Sequence, residues 1–189
     1  MGVIQEGLHT IHCKHLNSVV LKIDLSKAYD RVSWTYLRVL LSKMGFFEPF
    51  ITWVMSSLSS VSFLVLINGA ASSFFKAGRG LRQGFPLASL IFLIIAEGLS
   101  RALYCAKDGG VYPGISFGNG ISLSHVLFVD DIVMVTDGSE QPLSSLYEIL
   151  LVYCKASGMQ INEKNLHYIT LVWMSMRSLN YRIFFHFLC

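Results

Sequence analysis

A chain of 189 residues with 53% hydrophobic residues can bury one substantial core, yet its 14% of charged residues falls short of the roughly 25% usual for globular proteins. With a mean hydropathy of +0.53, that is the composition of a piece of a larger protein whose faces meet further polypeptide. The net charge of +3 permits contact with nucleic acid but shows no basic stripe that would argue for it.

From the N-terminus, no apolar segment suits a signal peptide, and Glu6 stands where a myristoylation signal needs Ser or Thr. His9, His12, Cys13 and His15 crowd together but lack a distant second pair, so a zinc site is not expected. The cysteines are scattered and suit buried, reduced residues of an intracellular protein.

Val19-Val20-Leu21-Lys22-Ile23 predicts a short buried strand ending at Asp24. Leu37, Leu40, Leu41 and Met44 then fall at helical spacing and stop at Gly45, and a second helix is expected from Phe50 to Leu58. Residues 49–75 carry no formal charge and could span a bilayer by length. Ser56, Ser57, Ser59, Ser60 and Ser62, with the turn dipeptide Asn68-Gly69, favour structure away from the membrane.

Val61 to Ile67 and Ser72 to Ala77 read as a hairpin around Asn68-Gly69, and Pro86 opens an apolar helix to about Leu103. Gly118-Asn119-Gly120 marks another hairpin, between Ile115–Phe117 and Ile121–Leu123. His125–Phe128 and Ile132–Val135 are strands pinched around Val129-Asp130-Asp131. Leu143, Leu146, Tyr147, Leu150, Leu151 and Cys154 form the clearest helix, closed by Gly158, and Met159–Asn162 is a candidate strand. This order implies an α+β fold, a sheet with helices packed on one face.

Asp24 ends an apolar strand, and Asp130-Asp131 occupies the tip of an apolar hairpin. Adjacent carboxylates with limited solvation call for a compensating cation. No arginine is near in sequence, so a divalent ion is the economical partner, and Asp24 would complete an oxygen-ligand site for it. Taken alone, the pair suits an ordinary solvated turn better than a metal site.

Four blocks in order decide between these readings. Residues 21–32 (LKIDLSKAYDRV), 79–87 (RGLRQGFPL), 128–131 (FVDD) and 156–162 (ASGMQIN) resemble motifs A to D of reverse transcriptases, most closely the LINE-type (non-LTR retrotransposon) branch. The resemblance implies a polymerase palm over 1–165, lacking complete fingers and thumb, and leaves 166–189 an unassigned tail. It implies RNA-directed DNA synthesis by two-metal transfer to a primer 3′-hydroxyl, with an RNA template, a DNA primer and deoxynucleoside triphosphates as partners, and no membrane.

In these terms Asp24, Asp130 and Asp131 are the catalytic ligands of Mg²⁺ (or Mn²⁺), Tyr29 is the sugar-selecting ring, Gln83 and Gly84 touch the nucleotide, and Lys164 is a general-acid candidate. Each has a plainer alternative: Tyr29 as a core aromatic, Gln83-Gly84 as a connector, Lys164 as a surface charge. The resemblance also places the protein in the nucleus or cytoplasm. Phe85, where the family usually carries Asp or Cys, and Ala88-Ser89, in place of Ser-Pro, depart from the pattern, and Glu163-Lys164-Asn165 runs one residue short. The alternatives are therefore an inactive relic of such a polymerase or a membrane-associated non-enzyme, and the chain alone is expected not to extend a primer.

Overall fold

The computed structural model describes residues 6, 9–11, 13–14, 18–82, 84–118, 121–128, 131–162 and 167–171. Its centre is a four-stranded antiparallel sheet built from β1 (Ser18–Asp24), β8 (His125–Phe128), β9 (Asp131–Thr136) and β10 (His167–Leu171), in the order β10-β1-β9-β8. After β1 come the short α1 (Ala28–Arg31), α2 (Trp34–Lys43) and α3 (Glu48–Ser59). The long α4 (Ala88–Asp108) and α5 (Glu140–Ser157) complete the helices.

Alternation along β1 divides the sheet into two faces. Val19, Leu21 and Ile23, with Ile132 and Met134 of β9, join the main core against Leu37 of α2, Ile51 of α3, Ile95 of α4 and Leu150 of α5. Val20, Val133 and Val135 turn the other way and join a smaller cluster with Ile11 and Ile115, against which Leu123 packs. Helices thus cover one face, as the α+β reading expects. Among the described residues the opposite face stays open toward the β1–Asp24 end.

The helices follow their apolar spacing but run past it. Ser33 caps α2, its hydroxyl accepting from the Tyr36 N–H at 3.3 Å. The helix expected from Pro86 to about Leu103 starts at Ala88 and continues to Asp108, and Tyr112 beyond it is fully buried. Among the described residues α4 is the one helix long and apolar enough to cross a membrane, but Ile91, Phe92, Ile95, Leu99 and Leu103 on one side are committed to the core.

The 61–77 hairpin turns at Asn68 and Gly69 (φ 51° and 84°), the two positive φ values that such a two-residue turn requires. Its arms are not the continuous strands expected. They pair as β2 (Ser62–Phe63) with β5 (Phe75–Lys76), and β3 (Leu66–Ile67) with β4 (Ala70–Ala71). With Phe63, Leu66, Ile67 and Phe74 all exposed, the arm has no core face to impose alternation over its length.

The hairpin β6 (Ile115–Gly118) and β7 (Ile121–Leu123) forms as read. Residues 159–162 give a single bridge, Ile161 to Leu25, rather than a strand. β10 was not expected at all; it lies in the tail left unassigned from the sequence and pairs along the outer edge of β1.

Candidate active site

The register of the central strands brings the acidic residues together. Asp24 at the end of β1 pairs with Asp131 at the start of β9, and Lys22 pairs with Val133. Paired residues share a face, so Asp24, Asp131 and Lys22 all lie on the open side of the sheet. Directly opposed residues place their Cβ atoms about 4.5–5.5 Å apart. Two carboxylates at that spacing can share one ion at oxygen-ligand distances of about 2.0–2.6 Å.

Both carboxylates are held. Asp24 Oδ2 accepts a 2.9 Å hydrogen bond from Asn162 Nδ2, and the Asn162 N–H donates to the Asp24 carbonyl at 2.8 Å. Asp131 Oδ1 lies 3.0 Å from Lys22 Nζ. No arginine is near in sequence, but Lys22 brings a positive charge to Asp131 across the strands. It is remote from Asp131 in sequence, but it stands two residues before Asp24 in a strand, and that spacing was the available signal.

Around this pair the four sequence blocks pack into one unit. Tyr29 is half-buried and stacks on Phe92 of α4, with centroids 4.7 Å apart and an interplanar angle of 12°. The Gly80 and Leu81 N–H groups donate to the carbonyls of Val32 (2.8 Å) and Tyr29 (2.7 Å). Trp34 Nε1 donates to the Gly80 carbonyl at 2.8 Å. On the other side the Ser33 N–H donates to the Ser157 carbonyl at 2.8 Å. Residues 30–33 are thus clamped between the second block and the fourth.

Close backbone approach explains two glycines in this clamp. A Cβ on Gly80 would lie 2.7 Å from the Asp30 carbonyl oxygen, and one on Gly158 would lie 2.6 Å from that of Arg31. Gly84 is exposed at φ +82° with open space around it. Phe85, which departs from the family pattern, is half-buried against the main core. An open cleft of about 250 Å³ beside the clamp is lined by residues including Asp30, Trp34, Phe63, Arg79 and Arg82.

The hairpin that carries Asp131 is fixed from below. The Tyr112 hydroxyl lies 2.5 Å from the Ser124 carbonyl oxygen and 2.9 Å from that of Val135, and accepts from the Val135 N–H at 3.2 Å. Burial holds the Tyr112 phenol well above its ordinary pKa, so it stays neutral. His125 meets the Ser100 and Ser124 hydroxyls at 2.9 and 3.0 Å. Burial, and then the nearby Lys107, hold this imidazole below its usual pKa, while Glu97 pulls the other way.

Asp130, Gln83 and Lys164 lie outside the described residues. Among those described, no three His, Cys, Asp or Glu side chains cluster, so Asp24 and Asp131 stand as a pair. At the N-terminus Cys13 Sγ comes within 3.6 Å of His9, both exposed, and His12 and His15 are outside the described residues.

Comparison with known proteins shows the family and the fold. A family model described as reverse transcriptase (RNA-dependent DNA polymerase) matches residues 2–181. The chain is 28% identical over 160 residues to an uncharacterized 149 kDa protein of transposon TX1 from Xenopus laevis, covering 85% of this chain and 12% of that protein. It is 23% identical over 159 residues to a retrovirus-related Pol polyprotein from the type-1 retrotransposable element R2 of Popillia japonica, covering 84% of this chain and 25% of the polyprotein. The fold superposes on telomerase from Candida albicans with a TM-score of 0.65 at 14% identity, over 92% of this chain and 30% of the telomerase.

Proposed function

The chain belongs to the reverse transcriptase (RNA-dependent DNA polymerase) family, spans a small part of its non-LTR retrotransposon relatives, and on that premise we propose that it is the catalytic palm of an RNA-directed DNA polymerase. The observation that carries the reading is the register of Asp24 opposite Asp131 on the uncovered face of the sheet. The donors are hard carboxylate oxygens from two adjacent strands, a set that suits Mg²⁺ or Mn²⁺.

Asp24, Asp130 and Asp131 are the metal ligands in this proposal. Divalent ions held there supply the charge that activates a primer 3′-hydroxyl and stabilises the leaving pyrophosphate. Asn162 orients the Asp24 carboxylate through its side-chain amide. The Tyr29 ring, stacked on Phe92, crowds a ribose 2′-hydroxyl and so favours deoxynucleoside triphosphates. Gln83 and Gly84 contact the incoming nucleotide, and the open space around Gly84 supports close backbone approach. Lys164 gives a proton to the pyrophosphate. RNA template and DNA primer cross the open face.

Calorimetric titration with Mn²⁺ of the chain, Asp24→Asn and Asp131→Asn tests the proposal. Loss of one ligand charge should weaken binding about tenfold in each variant. Equal binding by all three proteins would put the ion elsewhere.

A further inference from the structure

The ion pair between Lys22 and Asp131 lies on the open sheet face and is not used by the chemistry proposed above. Lys22 Nζ reaches Asp131 Oδ1 at 3.0 Å, and the two side chains keep 48% and 38% of their exposure. Most pairs this exposed are loose meetings of mobile side chains. This one is set by the sheet, because Lys22 is opposite Val133 while Asp131 is opposite Asp24. Val20 and Val133, on the same face, are buried and fix the strands beneath the lysine.

Like charges directly opposite one another destabilise a strand pair. Asp24 and Asp131 are such a pair. The Asn162 amide gives Asp24 a hydrogen bond, and Lys22, through its contact with Asp131, brings a positive charge to this strand end.

Building on the carboxylate metal site proposed above, we infer that Lys22 is the resident counter-ion of that site, balancing Asp24 and Asp131 without metal and giving up Asp131 when a divalent ion enters. It is a positioning residue that acts through Asp131. Its ammonium opposes metal entry and keeps the strand ends together in the metal-free protein.

The test counts free Mn²⁺ by electron paramagnetic resonance with the full 189-residue chain. Lys22→Met and Lys22→Arg are compared with the unsubstituted chain, each with and without Asp131→Asn. Removing one positive charge several ångströms from a divalent ion in a solvated site should tighten Mn²⁺ binding about tenfold in Lys22→Met. Lys22→Arg should stay within about twofold of the parent, because the ion pair persists. In the Asp131→Asn background the gain from Lys22→Met should shrink to about threefold or less, since the carboxylate it uncovers is gone. Binding in Lys22→Met that is unchanged or weaker would overturn the inference, as would an equal gain in both backgrounds. If no variant binds Mn²⁺, the metal-site reading itself fails and the inference falls with it, an outcome distinct from binding that ignores Lys22.

Discussion

Replacing Gly158 with alanine should cost more than its backbone conformation alone explains. Gly158 closes α5 at φ +79°, and an added Cβ would lie 2.6 Å from the Arg31 carbonyl oxygen and 3.5 Å from the Ser33 nitrogen. The left-handed conformation costs a non-glycine residue about 1–2 kcal/mol. The clash is with backbone, so no side-chain rotation relieves it. Either the end of α5 or residues 31–33 must move, straining the 2.8 Å hydrogen bond from the Ser33 N–H to the Ser157 carbonyl, worth about 1 kcal/mol. The total is about 2–4 kcal/mol. At about 2–4 °C per kcal/mol for a chain of this size, Tm should fall by about 4–16 °C. Gly45 supplies the control, since it follows α2 at φ +85° with nothing within 4 Å of an added Cβ. There alanine should cost about 1–2 kcal/mol and no more. Thermal unfolding followed by circular dichroism compares the two, and equal losses would refute the claim that the clamp on residues 30–33 depends on close approach.

The remaining predictions concern the supports of the site. Tyr112→Phe removes the hydroxyl shared by Ser124 and Val135, and should lower stability by about 1–3 kcal/mol in urea unfolding; an unchanged midpoint would show that the hydroxyl does not hold the hairpin. Because the folded protein holds His125 below its ordinary pKa, the unfolded chain binds more protons as pH falls through the region of 6.5, so stability from this residue is present above that pH and is lost below it. His125→Gln should flatten the decline in Tm between pH 7.5 and 5.5, and an identical pH profile would contradict the assignment. Trp34→Phe removes the donor to the Gly80 carbonyl and should speed tryptic cleavage at Arg79 and Arg82, which limited digestion will show.

Local signals were enough where one short segment carried the whole reason for its shape. Asn68-Gly69 announced its turn, and Leu143 to Cys154 its helix, because turn chemistry and helical spacing are written in adjacent residues. The strand β10 was not legible because it forms by completing the edge of β1, a reason that lies far away in the chain. The site shows the same division. Asp24 and Asp131 could be singled out as carboxylates at strand ends, but which carboxylate faces which depends on register, and register set Asp131 as the first residue of β9 rather than part of the turn. Lys22 and Asn162 were passed over as partners for that reason, although each lies in a quoted motif.

Mapping by iron-generated hydroxyl radicals tests the central claim most directly. Fe²⁺ bound in place of Mg²⁺, with ascorbate and peroxide, cuts the backbone close to the ion. Cuts are expected at the end of β1 and the start of β9, near Asp24 and Asp131, which are paired across the sheet. They should fade with excess Mg²⁺ and be lost in Asp24→Asn. Cuts elsewhere, or cuts indifferent to Asp24→Asn, would contradict a metal-binding polymerase palm at this sheet face.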